Sequence, residues 1–593
     1  MIFPIPKKET YFEGRFCVSS ALAAMPLAEL YSEVKEGKAG VALLKDAALS
    51  GEAHKITIGA NGISIAYATD EGLFRAVTSL WQLMRKNGQN LPHAEIEDAP
   101  TLERRGYMLD ISRGRMPKVE TFKKIIDFLA SVKYNELQIY MEGHVFKFAS
   151  FPQYTADFDC LNGADIKELE AYCKARFIDL VPNQNSFGHM SQWLSKPELS
   201  HLAVAPEGGK GGTINPLLPE SLSLIDTIYG DLLPLHESEY VNVGFDEAYG
   251  LGRYQLEEPC KKYGRATVFM DWLNKIADLC KEKYAKKIQF WSDMINAYPE
   301  TYDRIPKGAV ALEWGYELGS AQRMAENCAD YKRAGIEFYL CPSTNTHLAF
   351  TGRNEVTTFN IRTSAQNARK YGAQGLLLTD WGCDCGQPTF LLWSAFPVAL
   401  AGQFAWNPGE YNPESFMPEF NVAAEQYVDE VVFKADGISE LLRRLSNYYL
   451  LEPDRVHCGT MCGQSMQMPL GEMNFRGIFD FRTRPYPYYF ENVIQYVMAL
   501  ALEIKRAEID PFYKEQIILN ARMVMFSAAV CKIRLGDVPD ADGIRALIAE
   551  ADAIDAAFIR LWDVENYAEG KMEFLSQLRG RRADLFALLS AEK

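Results

Sequence analysis

Two adjacent carboxylates, Asp246 and Glu247, are the side chains in this sequence best suited to acid–base chemistry. They follow the apolar run 240–245, which predicts a buried strand. Burying two carboxylates without compensation is costly, and function is the usual reason to accept that cost. One such group can protonate a leaving oxygen while the other stabilises positive charge at a neighbouring carbon, as cleavage of a glycosidic bond requires. The alternative is an exposed, purely solvated pair.

The segments around this pair alternate between strand and helix patterns from about residue 104 onward. The helical segments include 119–132, 164–176, 267–284 and 321–334. Eight strands separated by helices within about 300 residues predict a closed (β/α)₈ barrel, and therefore an α/β fold. An open doubly wound sheet is the main alternative, but no glycine-rich phosphate loop follows the first strand. The predicted strands are 106–112, 136–142, 179–185, 240–246, 287–294, 309–314, 337–341 and 375–381.

Two further domains flank the predicted barrel, which spans residues 100–412. Residues 1–99 predict a small α/β domain, in which Asn61-Gly62 joins strands 55–60 and 63–66 into a hairpin and a helix follows. Residues 413–593 predict a helical C-terminal domain because their apolar residues recur at helical spacing. Its helices are expected at 438–450, 490–508, 512–535, 541–563 and 571–591.

Charge and composition exclude several classes of partner. A net charge of −16 disfavours nucleic acid, since no basic excess offsets phosphate repulsion. No signal-peptide pattern and no run of about 20 apolar residues are apparent, so we expect a cytoplasmic protein without a membrane partner. The 12 cysteines lack framework spacing and are expected to be reduced. Cys383-x-Cys385 and His457-Cys458-x₃-Cys462 match no familiar zinc spacing, so neither a metal nor a cofactor is expected. A homodimer is compatible with the sequence.

Polar side chains end most of the predicted barrel strands, where the active sites of such barrels form. Carboxylates, amides, an arginine and several tryptophans therefore converge on one face. Aromatic rings stack on the C–H faces of sugars while carboxylates and amides bind sugar hydroxyls, so this mixture favours a sugar over a phosphate. The strand-end residues are Asp110, Arg113, Glu142, His144, Asn185, His189, Asp246, Glu247, Trp291, Asp293, Glu313, Trp314, Tyr339, Asp380 and Trp381.

An ordered series of motifs resembles glycoside hydrolase family 20, the β-N-acetylhexosaminidases, and particularly its bacterial branch. Ile96-x-Asp98-x-Pro100 followed by RGYMLDISR resembles the start of the family's first strand. VPNQNSFGHM resembles the third-strand motif, VNVGFDEAYGLGR the fourth, and GLLLTDWG the eighth. The resemblance runs from about residue 50 to 405 and implies removal of terminal N-acetylglucosamine or N-acetylgalactosamine from glycans.

This resemblance implies substrate-assisted catalysis with retention of configuration. Glu247 would be the general acid and then the base, with a raised pKa that keeps it protonated near neutrality. Asp246 would orient the 2-acetamido group of the substrate, whose oxygen attacks the anomeric carbon to form an oxazolinium intermediate. Arg113 would bind the 3- and 4-hydroxyls, and Tyr339 would donate a hydrogen bond to the acetamido oxygen. Trp314 and Trp381 would form walls of the pocket, with His189, His144, Glu142, Asn185 and Asp384 as further substrate-binding candidates.

Departures from the family pattern concern the hydroxyl-binding part of the site. Cys341 stands where many relatives have an aspartate, Asp384 is displaced by one position, and His347 replaces an expected tryptophan. These changes leave the sugar preference open. Two alternatives also remain: a two-carboxylate glycosidase that uses Glu142 with Glu247, and a carbohydrate-binding protein without turnover.

Overall fold

The N-terminal region is a five-stranded sheet covered by a long helix in the computed structural model, which describes residues 2–383, 386–409 and 417–591. The strand order is β1-β5-β3-β4-β2, and the helix α3 lies against β3, β4 and β5. The predicted hairpin is confirmed as β3 and β4, which pair antiparallel. The elements are β1 (Lys8–Cys17), α1 (Ser20–Ala24), α2 (Leu27–Lys35), β2 (Val41–Lys45), β3 (His54–Gly59), β4 (Gly62–Tyr67), α3 (Asp70–Asn87) and β5 (Asn90–Asp98).

Helix α3 is fixed by local signals at its N-terminus and by a buried apolar face. The Thr69 hydroxyl accepts a hydrogen bond from the backbone N–H of Gly72 at 3.0 Å, which caps the first turn. Leu73, Val77 and Leu80 are fully buried. Strand β1 was not predicted from the sequence, because most of its side chains are exposed on both faces. Apolar and polar residues therefore do not alternate along it.

The middle of the chain forms a closed barrel of eight parallel strands, which confirms the predicted (β/α)₈ architecture. Each strand pairs with its sequence neighbour, and the last strand pairs with the first. Strands 240–246 and 287–294 were predicted too long, because the chain turns at Gly244 with a φ of 77° and because α10 begins at Asp293. The strands are β6 (Arg104–Asp110), β7 (Glu136–Met141), β8 (Asp179–Gln184), β9 (Tyr240–Asn242), β10 (Lys287–Trp291), β11 (Val310–Trp314), β12 (Glu337–Cys341) and β13 (Gly375–Asp380).

Helices surround the barrel and connect successive strands. Helices α11 and α12 each end at a glycine in the left-handed region, Gly335 and Gly372, where a side chain would be strained. The helices are α4 (Val119–Ser131), α5 (Gly163–Lys174), α6 (Ser191–Leu194), α7 (Pro219–Leu232), α8 (Glu257–Tyr263), α9 (Arg265–Tyr284), α10 (Asp293–Asn296), α11 (Ala321–Ala334), α12 (Asn354–Tyr371) and α13 (Ala395–Trp406).

Buried ion pairs join the N-terminal sheet to the bottom of the barrel. Glu52 Oε2 lies 2.7 Å from Arg75 Nε and 2.5 Å from Arg105 Nη2, and all three side chains are almost fully buried. Asp98 and Lys133 form a second buried pair at 2.7 Å. Burial alone would raise the pKa of Glu52, but the two guanidinium groups outweigh it and lower that pKa to about 2. The sheet and the barrel therefore share one charged core.

Replacing Glu52 with alanine is expected to lower the free energy of unfolding by about 3–5 kcal/mol, because it leaves buried Arg105 without its carboxylate partner and buried Arg75 with only the 3.4 Å contact to Glu71. In wild type the stabilisation is present above the ordinary glutamate pKa of about 4.3 and is lost as the pH falls through about 2. Urea unfolding between pH 7 and pH 2 measures both effects. Glu97→Ala is the matched control, since its ion pairs are exposed and worth at most about 1 kcal/mol.

The C-terminal region is helical, as predicted, and adds a short hairpin. Helix α18 is long and apolar enough to cross a membrane by length and composition alone, yet 72% of its most apolar window is buried in the protein. It lies against α17 and α19. The predicted boundary at 412/413 falls outside the described residues. The elements are α14 (Pro418–Val428), α15 (Ile438–Ser446), α16 (Met461–Ser465), β14 (Asn474–Phe475), β15 (Phe479–Asp480), α17 (Tyr488–Arg506), α18 (Pro511–Arg534), α19 (Ala541–Glu565) and α20 (Lys571–Ala591).

Candidate active site

A cavity of about 880 Å³ opens at the carboxyl ends of the barrel strands. Its lining combines residues that follow the barrel strands with residues of the C-terminal region, among them Phe475 and Ile478 on or beside β14. Active sites of this barrel type form at the same end. The barrel residues that line it include Arg113, Glu142, His189, Asp246, Glu247, Trp291, Trp314, Tyr316, His347 and Trp381.

The backbone beyond β9 holds Asp246 and Glu247 in a conformation that few residues adopt. Phe245 and Glu247 have φ values of 80° and 46°, in the left-handed region. Two glycines make room for this turn. A Cβ on Gly244 would lie 1.9 Å from Asn185 Oδ1, and one on Gly188 would lie 2.2 Å from the carbonyl oxygen of Asp246. The carboxylate pair is therefore fixed by close backbone packing.

His189 lies at the centre of three carboxylates. Its Nδ1 is 3.2 Å from Glu142 Oε1, and its Nε2 is 3.3 Å from Asp246 Oδ2 and 3.4 Å from Glu247 Oε2. Burial alone would lower the pKa of His189, but these carboxylates outweigh it and raise that pKa far above its usual range. The ring is thus an imidazolium at neutral pH and holds the carboxylates together.

Arg113 forms the next part of the same charged network. Its Nη1 donates to Asp110 Oδ2 at 2.9 Å and its Nη2 donates to Glu142. The Tyr140 hydroxyl also donates to Glu142, at 2.6 Å. Burial would raise the pKa of Glu142, but Arg113 and His189 hold it below its usual value. A guanidinium and a compensated carboxylate therefore stand side by side on the cavity wall, as binding of vicinal hydroxyls requires.

Glu247 departs from the sequence prediction in its protonation. A raised pKa was predicted, but the hydrogen bond from His189 lowers the pKa of Glu247 more than burial raises it, and the Tyr249 hydroxyl lowers it further. The prediction was wrong because it considered the strand and not the imidazolium beside it. The protonation of Glu247 is therefore tied to His189, whose Nε2 is 3.4 Å from Glu247 Oε2.

Asp293 is a site residue that the sequence analysis placed at a strand end but did not select. Its Oδ2 accepts the backbone N–H of Glu247 at 3.2 Å, and its Oδ1 accepts the indole N–H of Trp314 at 3.4 Å. Burial and the nearby charge of Asp246 raise the pKa of Asp293 to about 7. Asp293 thus orients both the general-acid candidate and one aromatic wall.

Aromatic rings form the other side of the cavity. Trp314 stacks on Tyr316 with centroids 5.2 Å apart, and Trp381 donates its indole N–H to the Tyr316 hydroxyl at 2.8 Å. Trp291 lies 5.7 Å from Trp381. Trp314 and Trp381 were selected as pocket walls from the sequence. Trp291 was named only as a strand-end residue, and Tyr316 was not predicted. Together the rings make an apolar recess that faces the carboxylates.

One group near the cavity has the residue types of a metal site. The ligand atoms of Glu317, His457 and Cys458 all lie within 4.8 Å of one another. However, Glu317 Oε1 is 2.8 Å from Arg353 Nη2 and also accepts the backbone N–H of Cys458 at 2.8 Å. Burial raises the pKa of the Cys458 thiol to about 12. A neutral thiol beside an already paired carboxylate is a poor cation site.

Two domain models of one protein family match more than half of this chain. Residues 103–375 match the catalytic domain of glycosyl hydrolase family 20, and residues 2–99 match domain 2 of the same family. The chain belongs to glycosyl hydrolase family 20. The sequence-based identification of this family is therefore confirmed.

Individual family 20 relatives are distant in sequence. The beta-hexosaminidase of Vibrio furnissii is 24% identical over 352 residues, which cover 53% of this chain and 55% of that protein. Hexosaminidase D of Bos taurus is 23% identical over 293 residues, covering 45% of this chain and 82% of that protein. The chain thus spans about half the length of the Vibrio relative.

Two solved structures share the fold. The β-N-acetylhexosaminidase from Bacteroides fragilis NCTC 9343 has a TM-score of 0.59 at 19% identity, covering 72% of this chain and 96% of that one. The Flavobacterium johnsoniae chitobiase has a TM-score of 0.58 at 14% identity, covering 95% of this chain and 98% of that one. Because the second likeness covers nearly the whole chain, it includes the helical C-terminal region.

Three of the predicted substrate-binding residues lie outside the cavity lining. Tyr339 is in the barrel core with Met108 and Leu377, because it pairs with Gly375 at the start of β13 and so lies near the opposite end of the barrel. His144 packs on Trp193, and its Nε2 lies 3.0 Å from the Gln192 carbonyl oxygen. Neither side chain therefore contributes to the cavity lining.

Asn185 is the third predicted residue that lies outside the cavity lining. Asn185 is fully buried beneath the cavity and donates to the Tyr140 hydroxyl at 2.8 Å, which in turn holds Glu142. It positions a wall residue and does not line the cavity. Asp384 and Cys385 lie outside the described residues. Arg113, Glu142, His189, Trp314 and Trp381 line the cavity together with the carboxylate pair.

Proposed function

We propose that the protein is a retaining exo-β-N-acetylhexosaminidase that removes terminal N-acetylglucosamine or N-acetylgalactosamine from glycans. The acetamido group of the substrate supplies the nucleophile, and an oxazolinium intermediate follows. Membership of family 20 and the named relatives support the substrate class. The geometry of the carboxylate pair supports the mechanism.

The observation that carries this proposal is the state of Asp246. Its side chain is 11% exposed, and its Oδ1 has no hydrogen-bond partner among the described residues. A buried carboxylate oxygen without a donor is costly, so a donor is expected from outside the protein. The N–H of an acetamido group is such a donor. Once bound there, the amide N–H is polarised by Asp246, which makes its carbonyl oxygen a better nucleophile.

Proton transfer falls to Glu247, which is the more exposed of the two carboxylates. Its Oε2 lies 3.4 Å from His189 Nε2, so its protonation is coupled to that of the imidazole. As the general acid, Glu247 delivers a proton to the glycosidic oxygen as the C–O bond breaks, and later accepts a proton from the water that opens the oxazolinium ring. The aromatic recess encloses the acetamido methyl group and the sugar face.

A two-carboxylate mechanism with Glu142 is less compatible with the contacts. Glu142 Oε1 already receives hydrogen bonds from Arg113 and Tyr140 and lies 3.2 Å from His189. A carboxylate oxygen that is compensated by three donors is a weak nucleophile. Glu142 fits a role in holding Arg113 toward the sugar hydroxyls.

Three aryl glycosides test the proposal. We expect hydrolysis of 4-nitrophenyl N-acetyl-β-glucosaminide or of the galactosaminide, and at least a 10³-fold lower kcat for 4-nitrophenyl β-glucoside, which lacks the nucleophile. A thiazoline analogue of the oxazolinium should inhibit competitively. Comparable turnover of the glucoside, or absence of thiazoline inhibition, would contradict substrate assistance. Turnover of none of the three substrates would contradict the hydrolase assignment.

A further inference from the structure

Three cationic side chains line the outer part of the cavity without a countercharge. They are Lys210, Arg253 and Arg476, and all three are exposed. Each contributes to the same cavity lining as the carboxylate pair. Within residues 2–383, 386–409 and 417–591, no carboxylate oxygen is recorded within 4.0 Å of their cationic nitrogens. Most of the other arginines and lysines around the active site, such as Arg113 and Arg353, are paired with carboxylates.

Separate segments of the chain supply these cations. Lys210 lies in the loop between β8 and β9, and Arg253 lies in the segment that follows β9. Arg476 lies in the turn between β14 and β15 of the C-terminal hairpin, with its guanidinium over the Phe475 ring at 5.3 Å. Convergence of three unrelated segments on one cavity is an arrangement that the local sequence does not require.

The carboxylates of the same lining follow barrel strands. Their negative charges are compensated by the guanidinium of Arg113 and the imidazole of His189, which contact Glu142, Asp246 and Glu247. The cavity is therefore polarised, with a compensated acidic group at the strand ends and an uncompensated cationic group on the loops. In a chain with a net charge of −16, such a local excess of positive charge opposes the general field.

Exposed large apolar side chains accompany the cations. Tyr254 is 49% exposed, and it belongs to the cavity lining beside Arg253. Ile478, on the hairpin that carries Arg476, is 50% exposed and also contributes to the lining. Large side chains at the mouth of a cavity offer a surface on which a second sugar ring can lie. The mouth therefore combines a ring-binding surface with anion-binding groups.

We infer that this outer part of the cavity is a leaving-group subsite for a sugar that carries a carboxylate or sulfate group. The inference rests on the proposed hexosaminidase function and names its substrate class: terminal N-acetylhexosamine linked to an acidic glycan residue. Arginine and lysine bind either anion through charge-assisted hydrogen bonds. The neutral hexosamine occupies the inner recess, and the anionic ring occupies the mouth.

Disaccharides that differ only in the leaving sugar test this inference. Each has a β-linked N-acetylhexosamine, joined to a neutral hexose, to a hexuronic acid, or to a sulfated hexose. We expect kcat/KM to be at least ten-fold higher for one of the acidic disaccharides than for the neutral one at low salt. The two acidic arms distinguish a carboxylate from a sulfate. Because exposed charges are screened, 0.5 M NaCl should reduce this preference.

The variant Lys210→Gln/Arg253→Gln/Arg476→Gln should bring the ratio of acidic to neutral kcat/KM close to one. Since this ratio is measured within one protein, partial misfolding does not alter it. Arg85→Gln is the matched control for Arg476→Gln, because Arg85 is also exposed and lies over an aromatic ring, that of Trp81 at 5.0 Å, but in the N-terminal domain. It should leave the ratio unchanged.

The outcomes separate the subsite from the underlying function. Hydrolysis of the 4-nitrophenyl hexosaminides and of all three disaccharides at similar rates would overturn the acidic subsite and leave the hexosaminidase function standing. A preference that survives in the triple variant would also overturn it. Failure to hydrolyse any hexosaminide would overturn the function itself.

Discussion

Glu247→Gln is expected to lower kcat on a disaccharide substrate by about 10²–10⁴-fold, the usual contribution of a general acid–base group. Glutamine keeps the shape of the side chain and can still contact Tyr249, but it cannot transfer a proton. The loss should be smaller on a 4-nitrophenyl glycoside, because nitrophenolate departs without protonation. In that case slow opening of the oxazolinium should limit turnover, and a burst of nitrophenol should appear.

Stopped-flow measurement of the burst and steady-state assay on both substrates check this expectation. Glu258→Gln is the matched control, since Glu258 is exposed on α8 and pairs with the exposed Lys261. Its kcat should equal that of wild type. Equal losses on the disaccharide and the nitrophenyl glycoside would contradict a role in protonating the leaving group.

Asp246→Asn is expected to lower kcat by about 10²–10³-fold, the range found when one group that stabilises developing charge is removed. Asparagine loses the negative charge that balances the oxazolinium. It also removes the largest electrostatic contribution that raises the pKa of His189. The pKa of His189 should therefore fall in this variant, which an NMR titration of the imidazole measures.

A nucleophile supplied by the substrate distinguishes Asp246 from a nucleophilic carboxylate. Added azide should not restore the rate of Asp246→Asn by forming a glycosyl azide of inverted configuration, because the acetamido oxygen already occupies that face. Formation of such an azide would contradict the assignment. Asp542→Asn, at an exposed ion pair on α19, is the control for the substitution itself.

The barrel and the carboxylate pair were predictable from sequence because both depend on local patterns. Strand-to-helix alternation predicted the barrel, and the buried run before Asp246 predicted the end of a strand. The relation between Tyr339 and Tyr316 was not predictable in this way. Both are near barrel strands, but only the register with β13 shows that Tyr339 lies low in the barrel while Tyr316 lies at its rim.

The electrostatic properties of the site were also not predictable from the sequence. The lowered pKa of Glu247 and the raised pKa of Asp293 both depend on which groups from other strands face them. His189 was selected from its motif, but its contact with three carboxylates requires the closed barrel. The contribution of Arg476 and Phe475 was invisible for a similar reason: they are more than 200 residues from Glu247 along the chain.

The C-terminal hairpin separates residues that contact the leaving sugar from the barrel residues that carry out catalysis, so the two sets can evolve independently. Residues that make or break bonds are locked by glycines with no room for a side chain, so almost any change there abolishes turnover. The turn between β14 and β15 is exposed, and an added Cβ at Gly477 would meet no atom within 4 Å, although the φ of 77° there favours glycine. Mutations in this turn can therefore change which glycans are cleaved, while the residues that carry out the reaction stay unchanged.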